Sequence, residues 1–361
     1  MKRISLILVL AMCVSLFSGC AGTPVVYQTN CTCPVEAHTP AETVAPVVEA
    51  TAPAVEGAVK TGLYISTDIG DSKSATAEEN GEGKYDVTMV AVLVDDEGII
   101  RDCIIDGISA AVAFDNKGTI TTDLTAAPQT KNELGENYGM VAWGGAIAEW
   151  DEQAAALASY AVGKTVEELK NGAIDETGKA PAGSDLASSA TIYLGGYVTA
   201  IEKAVANARH LGAQAGDVLK LASVNGIDSS ASVGEKDGTA QLDATVTALT
   251  MNGETITSCA IDAVQAKVTF DASGAVTTDL TAPVQTKNEL GEAYGMVAWG
   301  GAIAEWDAQA ASFASYVTGK TAAEVSGIAV DESTHPTDAD LASSVTIAIG
   351  GFQALIAKAA Q

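Results

Sequence analysis

The sequence predicts an α+β fold in which two copies of one domain follow each other behind a leader segment. Residues 130–151 recur at 286–307 with a single difference, Asn137 against Ala293. The same short element then follows each block, at 185–191 and at 340–346. Segments with strand character precede segments with helix character in both copies, the order typical of α+β domains. We therefore expect each copy to be an antiparallel β-meander sheet packed with helices, and to bind what the other copy binds.

The strands are predicted from β-branched residues and partial alternation. Residues 85–94 and 242–250 have this composition, which fits a sheet with one buried face. A turn signal, residues 95–98, follows the first of them, and the apolar segments 99–106 and 110–114 come next. Short strands joined by tight turns predict an antiparallel meander.

The helices are predicted from apolar spacing and from capping signals. Trp150, Ala154 and Leu157 fall on one helical stripe, which assigns Trp150 and its counterpart Trp306 to the core. Two capping boxes, in which a threonine and a glutamate each satisfy a free backbone donor of a helix start, are Thr165–Glu168 and Thr321–Glu324. The last helices are expected at about 189–208 and 344–359.

The first nineteen residues have the pattern of a targeting segment. Lys2 and Arg3 precede an apolar run, residues 4–17, that is short for a membrane span. The run ends in Phe-Ser-Gly-Cys20, similar to the lipobox at which a bacterial lipoprotein is cleaved and lipidated on its cysteine. We predict a signal peptide over 1–19 and lipidation of Cys20, which places the protein at the outer face of the cell membrane. The alternative is an ordinary secretory signal in which Cys20 is incidental.

The segment that follows is predicted to be a disordered tether. Residues 20–58 are rich in Ala, Pro, Thr, Val and Glu without a helical or strand period. Cys31 and Cys33 lie inside it; a local disulfide or a redox-active thiol pair is one interpretation, and a bystander role is favoured. The two domains are then expected at 59–213 and 214–361, here called repeat 1 and repeat 2.

The charge and the remaining motifs exclude several function classes. A formal net charge of −27 argues against nucleic acid and against anionic lipid surfaces as partners. The three histidines are scattered, no phosphate-binding loop or Gly-x-Gly-x-x-Gly is present, and no set of four metal ligands is apparent. Cys103 and Cys259 occupy equivalent positions and are expected to be buried apolar residues. We predict neither a metal site nor a catalytic residue.

The repeated Asp-x-x-Ser-Ser-x-Thr element is the candidate site. Ser188 or Ser189 could cap the last helix and place Thr191 in its first turn, where free N–H groups and the helix dipole favour a phosphate. The pair Gly195 and Gly196 would then leave a bare surface beside the threonine. Ser343, Ser344 and Thr346 repeat the arrangement. The alternative is an ordinary helix start whose glycines admit a neighbouring helix.

The element resembles the acceptor site of FMN-binding domains, in which a flavin transferase joins FMN to a threonine through a phosphoester. The family pattern is Asp-x-x-Ser/Thr-Gly-Ala-Thr/Ser, and Ser189, Ser344 and Val345 depart from it. The Lys-Asn-Glu-Leu-Gly-x-x-Tyr-Gly-Met block also resembles a lipoprotein branch of this family. The resemblance implies two covalent FMN groups, on Thr191 and Thr346. The matching residues are Asp185, Ser188, Ala190 and Thr191 in repeat 1 and Asp340, Ser343 and Thr346 in repeat 2.

The near-identical blocks are predicted to form the pocket of the flavin ring, because aromatic faces allow stacking and glycines allow close approach. The alternative for Trp143 and Trp299 is a place in the core of the following helix. The predicted pocket residues are Glu133, Leu134, Gly135, Tyr138, Gly139, Met140 and Trp143, with Glu289, Leu290, Gly291, Tyr294, Gly295, Met296 and Trp299.

The resemblance implies an electron carrier. Such a protein would take electrons from a membrane quinone or flavoprotein donor and pass them to a soluble acceptor such as ferric iron. Two alternatives stay open at this point: a flavin-dependent reductase with a specific organic substrate, and a surface lipoprotein without redox activity whose repeats bind a ligand or a partner.

Overall fold

The computed structural model describes residues 57–361, which belong to one compact unit. The predicted signal peptide, the lipidation site Cys20 and nearly all of the predicted tether, with Cys31 and Cys33, lie outside the described residues. Within 57–361, none of the helices is long and apolar enough to span a bilayer.

Two three-stranded antiparallel sheets form the framework, one in each repeat, which confirms the α+β prediction. The segments 99–106 and 110–114 belong to a single long strand, so the break expected between them is absent. The first strand of each sheet was not predicted. The strands are β1 (Lys60–Asp68), β2 (Gly81–Val94) and β3 (Ile100–Phe114) in repeat 1, and β4 (Val218–Ile227), β5 (Gly238–Asn252) and β6 (Thr255–Phe270) in repeat 2.

Helices follow each sheet. Both predicted capping boxes are present: the Thr165 side chain accepts from Glu168 N and the Thr321 side chain accepts from Glu324 N. The helices are α1 (Lys131–Leu134), α2 (Met140–Gly144), α3 (Trp150–Ala161), α4 (Val166–Ala173) and α5 (Gly195–Asn207) in repeat 1, and α6 (Lys287–Leu290), α7 (Met296–Gly300), α8 (Trp306–Val317), α9 (Ala322–Ser326), α10 (Ala339–Ala342) and α11 (Gly350–Ala359) in repeat 2. Short 3₁₀ helices are Gly135–Tyr138, Leu186–Ser188 and Gly291–Tyr294.

The last helix of each repeat begins later than predicted. Helix α5 begins at Gly195 instead of about 189, and α11 begins at Gly350 instead of about 344. The residues between carry hydrogen bonds to other parts of their repeat, which the next subsection describes.

Each sheet packs its helices on one face. Trp150 is 3% exposed in the core of repeat 1 and Trp306 is 7% exposed in that of repeat 2, which confirms both as core residues. Cys103 and Cys259 are free and buried in the same two cores, as predicted. Burial raises the pKa of each of these thiols to about 12.

The other face of each sheet packs against the sheet of the other repeat. Alternation along β2 sends Val90 and Val92 to the helices and Met89 and Ala91 to a core that both repeats share. Residues of β5, among them Val246, belong to that shared core too. Neither sheet therefore has a solvent-exposed face along these central segments.

A stacked pair of phenylalanines joins the ends of the two sheets. The rings of Phe114 and Phe270 lie 3.9 Å apart with an interplanar angle of 6°. Glycines make room for them, since a Cβ added at Gly81 would lie 2.3 Å from the Phe114 ring and one at Gly238 would lie 2.4 Å from the Phe270 ring. Backbone hydrogen bonds nearby also cross between repeats, one of them from Ala75 N to the Gly274 oxygen at 2.8 Å.

The shared core predicts that the two repeats unfold together. Phe114→Ala should lower the free energy of unfolding by about 3–5 kcal/mol, because it removes a fully buried ring and leaves Phe270 without its partner. Urea unfolding of this variant, followed by tryptophan fluorescence, should remain a single transition whose midpoint falls to a lower urea concentration. The control is Val233→Ala, at a residue 72% exposed, which should change the free energy of unfolding by no more than about 0.5 kcal/mol. Two separate transitions, with only one displaced, would contradict a common core.

Candidate functional site

Thr191 lies in the loop between the 3₁₀ helix Leu186–Ser188 and α5, and it is exposed. The side-chain oxygen of the fully buried Gln153, on α3, holds this loop. Gln153 Oε1 accepts from Thr191 N at 2.8 Å, from Ile192 N at 3.2 Å and from the Thr191 hydroxyl at 3.3 Å. Its amide nitrogen donates to the Ala148 oxygen at 2.8 Å, which fixes the orientation of the amide.

Repeat 2 has the same arrangement. Gln309 is fully buried on α8, and its Oε1 accepts from Thr346 N at 2.8 Å, from Ile347 N at 3.2 Å and from the Thr346 hydroxyl at 3.3 Å. Its amide donates to the Ala304 oxygen at 2.8 Å. Thr346 is exposed like Thr191. Both repeats thus present one threonine hydroxyl to solvent on a backbone that a buried glutamine fixes.

The predicted placement of these threonines in a helix first turn is wrong. Helix α5 begins only at Gly195, after a loop in which the Gln153 side chain accepts from Thr191 N and Ile192 N and the Gly178 oxygen accepts from Leu194 N and Gly195 N. The dipole of α5 therefore does not act at Thr191 itself. The alternative of an ordinary helix-start threonine fails for the same reason.

The serines of the element close a short turn and do not cap the helix. The Ser188 hydroxyl donates to the Asp185 oxygen at 2.6 Å, and the Ser343 hydroxyl donates to the Asp340 oxygen at 2.7 Å. The predicted cap at Ser188 or Ser189 is thus wrong, because these residues form and end the 3₁₀ helix upstream of Thr191. Ser344 likewise follows α10, and its hydroxyl donates to the Leu341 oxygen at 3.3 Å.

A cavity of about 720 Å³ reaches the Thr191 loop at Ile192, which lines it, whereas Thr191 itself does not. Two of the predicted ring-pocket residues, Tyr138 and Met140, line it, and Gly196 of α5 does as well. A Cβ added at Gly196 would meet no atom within 4 Å, so the glycine leaves its part of the wall open. Other lining residues are Lys131, Trp150, Ile192, Tyr197 and the segment Leu280–Pro283 of repeat 2.

The remaining predicted pocket residues of repeat 1 do not line this cavity. Gly135 lines a separate cavity of about 590 Å³ together with Val141. Glu133 closes the capping box of α1 with Thr130, and Leu134 is the last residue of that helix. In repeat 2, Glu289 and Leu290 have the same places in α6, and Gly291 begins the 3₁₀ helix that ends at Tyr294.

Glu133 and Glu289 differ in their partners across the repeat boundary. Glu133 forms an ion pair with Lys358 of α11. Burial alone would raise the pKa of Glu133, but the hydrogen bonds from Lys358 and from Thr130 N hold that pKa below its ordinary value. Glu289 instead lines a cavity of about 780 Å³ between the repeats, where Tyr64 faces it.

Trp143 lies on the short helix α2, within a mostly exposed segment, residues 139–148. It is 90% exposed, so its alternative place in the helix core is wrong, and Trp299 is 90% exposed on the matching segment 295–304. The Glu149 carboxylate accepts from Met140 N at 2.7 Å and from Val141 N at 3.0 Å and so fixes the start of the segment. Gly139 has a φ of 84°, and a Cβ there would lie 2.3 Å from the indole.

In repeat 2 the predicted pocket residues keep the local geometry of their counterparts. Gly295 has a φ of 84°, and a Cβ there would lie 2.4 Å from Trp299. The Glu305 carboxylate accepts from Met296 N at 2.8 Å and from Val297 N at 3.0 Å. The Tyr294 hydroxyl differs, because it donates to the side-chain oxygen of Gln265 at 3.0 Å.

A buried aspartate fixes the start of each near-identical block. In repeat 1, Asp106 Oδ1 on β3 accepts from Gly107 N at 2.7 Å and from Asn132 N at 3.0 Å. In repeat 2, Asp262 Oδ1 on β6 accepts from Ala263 N at 2.7 Å and from Asn288 N at 3.1 Å. Burial raises the pKa of both carboxyls against these hydrogen bonds, and that of Asp262 reaches about 6.

Three pairs of residues that position the site were missed by the sequence analysis: Gln153 with Gln309, Lys131 with Lys287, and Asp106 with Asp262. The glutamines carried a signal, because each is a polar residue on the apolar stripe of its helix at the same place in both copies. The aspartates occupy equivalent places within the long third strands. The lysines lie inside the block used for the family resemblance, with no pattern that marks Lys131 as buried or Lys287 as half-buried.

Within residues 57–361, no three histidine, cysteine, aspartate or glutamate side chains converge to hold a metal ion. Comparisons of the chain with protein families, curated proteins and solved structures give no match.

The raised pKa of Asp262 predicts a pH-dependent cost to stability. Between pH 3.8 and about 6 the carboxyl ionises in the unfolded chain but stays protonated in the folded protein. Its contribution to the free energy of unfolding therefore falls as the pH rises through this range and is lowest above pH 6. At 1.36 kcal/mol per pKa unit the full effect is about 3 kcal/mol. The free energy of unfolding of Asp262→Asn relative to the parent should therefore rise from pH 3.5 to pH 7 in urea titrations.

The control for this prediction is Asp279→Asn. Hydrogen bonds from the Thr281 hydroxyl and backbone N–H lower the pKa of the exposed Asp279 carboxyl, so its pH slope should have the opposite sign. A difference between Asp262→Asn and the parent that does not vary with pH would contradict the assignment.

The glutamine–threonine contact predicts a local effect of Gln153→Ala. The variant leaves the N–H groups of Thr191 and Ile192 without their acceptor, at a cost of about 1–3 kcal/mol for each one that stays buried. Amide hydrogen exchange should accelerate at Thr191 and Ile192. The amides of Thr346 and Ile347, held by Gln309, provide the internal control and should keep their rates. Unchanged exchange at Thr191 would show that another group holds the loop.

Proposed function

We propose that this protein is a lipid-anchored electron carrier at the outer face of the cell membrane, with FMN joined through its phosphate to Thr191 and to Thr346. A flavin transferase would load it, a membrane quinone in its reduced quinol form or a flavoprotein would donate electrons, and a soluble acceptor such as ferric iron would receive them. Lipidation at Cys20 and the signal peptide belong to the same proposal.

The observation that carries this proposal is the duplicated threonine site. A modifying enzyme needs a solvent-accessible hydroxyl on a backbone segment of fixed conformation. Thr191 and Thr346 are exposed, and in each repeat a fully buried glutamine binds the backbone N–H of the threonine and of the residue after it. Two such sites at equivalent positions are expected of a carrier loaded twice.

The side chains that line the cavity next to the Thr191 loop support a flavin there. The cavity of about 720 Å³ lies within the usual range for ligand pockets, about 300–1,000 Å³. Tyr138 and Tyr197 offer aromatic faces, Met140 and Ile192 offer apolar contacts, and Gly196 leaves an open wall. The flavin would supply the redox chemistry, and these residues would orient its ring and limit its contact with water.

A covalent link suits a cofactor used outside the cell. A dissociated flavin would diffuse away, whereas a tethered one has an effective concentration on the order of millimolar near its pocket. Weak contacts to the ring then suffice. The open cavity and the exposed threonines are compatible with such a site.

The proposal is tested by expressing the chain from residue 20 onward with and without a flavin transferase and measuring its intact mass and absorbance. We expect two added FMN groups with the enzyme and none without it. Thr191→Ala and Thr346→Ala should each remove one, and the double variant should remove both. Thr199→Ala is the matched control, because this exposed threonine of α5 donates its hydroxyl to Gly195 and lies outside the element.

A colourless protein with unmodified threonines after co-expression would overturn the proposal and favour a surface lipoprotein without redox activity. If both flavins are present, electron transfer from the reduced protein to ferric salts and to a panel of organic acceptors distinguishes a carrier from a reductase. A carrier should reduce several acceptors of suitable potential, whereas a reductase should show saturable turnover with one substrate.

A further inference from the structure

Lys131 is a buried lysine to which none of the sequence motifs gave a role. Its side chain is 9% exposed and lines the cavity next to the Thr191 loop. Its Nζ lies 5.3 Å from the centroid of the Tyr138 ring and 4.9 Å from that of the Trp150 ring. None of the ion pairs in the described part of the chain involves Lys131.

A buried ammonium without a counter-ion needs compensation. The two aromatic faces provide part of it, since a cation over a ring is stabilised by the ring quadrupole. Two carboxylates, Asp68 and Asp86, also line the cavity, but Asp68 accepts from Gly70 N at 2.7 Å and Asp86 accepts from the Ser109 hydroxyl at 2.6 Å. Neither forms an ion pair with Lys131, so an anion in the cavity would be the partner that the ammonium lacks.

The beginning of α5 adds to the positive electrostatic potential that Lys131 produces in this cavity. Gly195 N donates to the Gly178 oxygen, but the N–H groups of Gly196 and Tyr197 have no partner within this 13-residue helix, and both residues line the cavity. A lysine and a helix N-terminus on one cavity favour negative charge there.

Repeat 2 keeps the lysine. Lys287 Nζ lies 4.9 Å from the Tyr294 ring centroid and 4.8 Å from that of Trp306. The same charge on the same pair of aromatic residues occurs in a second copy whose last helix has diverged, for example at Tyr197 against Phe352. Lys287 is half-buried where Lys131 is buried, so the two lysines share their aromatic neighbours but differ in their exposure.

We infer that Lys131 and Lys287 each set the reduction potential of the flavin in their own repeat, by stabilising the negative charge that the ring gains on reduction. This inference rests on the proposed function. Reduction adds two electrons from the quinol or flavoprotein donor and one proton to the oxidised ring, which leaves the ring with one negative charge. The phosphodiester is the other anion, but it would sit on a threonine exposed to water, whereas Lys131 is buried among residues expected to surround the ring.

The test uses flavinylated Thr346→Ala protein, which carries only the flavin on Thr191. Lys131→Met keeps most of the apolar stem and removes the charge. We expect the equilibrium constant for two-electron reduction to fall on the order of tenfold, about 30 mV in midpoint potential, measured by dithionite titration against a reference dye. Lys131→Arg should restore most of the loss. The intact mass should show an unchanged FMN load, and thermal unfolding should show that each variant is folded.

Controls separate charge in the cavity from charge elsewhere. Lys203→Met removes an exposed lysine of α5 and should leave the potential unchanged. In the Thr191→Ala background, Lys131→Met should not alter the flavin on Thr346, whereas Lys287→Met should lower its potential. This second repeat keeps the inference testable if Lys131→Met does not fold.

Two results would overturn the inference. An unchanged potential in folded, fully loaded Lys131→Met and Lys287→Met would show that the lysines do not act on the ring. A reduced FMN load with an unchanged potential would assign them to the phosphate instead. Failure of the proposed function is distinguishable, because the parent protein would then carry no FMN at all.

Discussion

The packing of the two sheets against each other is the constraint on which the rest of the structure depends. A sheet that left one apolar face in water would lose the free energy gained by burying that face. Here the helices of each repeat cover one face and the sheet of the other repeat covers the second, so Met89 and Val90, neighbours on β2, are both fully buried in different cores. The stacked rings of Phe114 and Phe270 join the ends of the two sheets. Neither repeat can separate without exposing its half of the shared core.

This packing also explains how the sites are held. The long third strands carry Asp106 and Asp262, whose carboxylates bind the N-terminal ends of the near-identical blocks. The blocks lead into α3 and α8, which carry the glutamines that hold the threonine loops. Each threonine is therefore connected to a sheet through a series of buried polar contacts. Burying these polar groups is costly unless each is satisfied, which makes the arrangement specific as well as rigid.

The sequence was informative where local chemistry decides the structure. Capping boxes depend on two residues and a backbone turn, so Thr165 with Glu168 could be read directly. The start of α5 could not be predicted in this way. The loop before it is held by Gln153, which accepts from Thr191 N and Ile192 N and is distant in sequence from both. The shared core could not be predicted from the sequence either. Alternation along a strand shows that a face is buried but not what covers it, and β2 is apolar on both faces over its second half.

Tyr138 and Trp143 illustrate the same division at the site. Both are aromatic residues of the same near-identical block, and both were predicted to lie in the ring pocket. The hydrogen bonds of Glu149 to Met140 N and Val141 N turn the chain between them, which leaves Tyr138 on the cavity and Trp143 on the surface. The contact made by Glu149, a residue later in the chain, thus decides which aromatic side chain can approach a ligand in the cavity.

The surroundings of the two threonine sites differ even though the near-identical blocks differ at only one residue. In repeat 1 the Trp150 indole N–H donates to the Tyr197 hydroxyl at 3.0 Å, while in repeat 2 Trp306 meets Phe352, which has no hydroxyl. Segment Leu280–Pro283 of repeat 2 also forms part of the wall around the cavity of repeat 1. Any ligand bound in the first cavity would contact both repeats, because the shared core fixes that segment beside it. Two identical cofactors would therefore experience different surroundings, and a difference in reduction potential between them would give electrons a preferred direction from one repeat to the other.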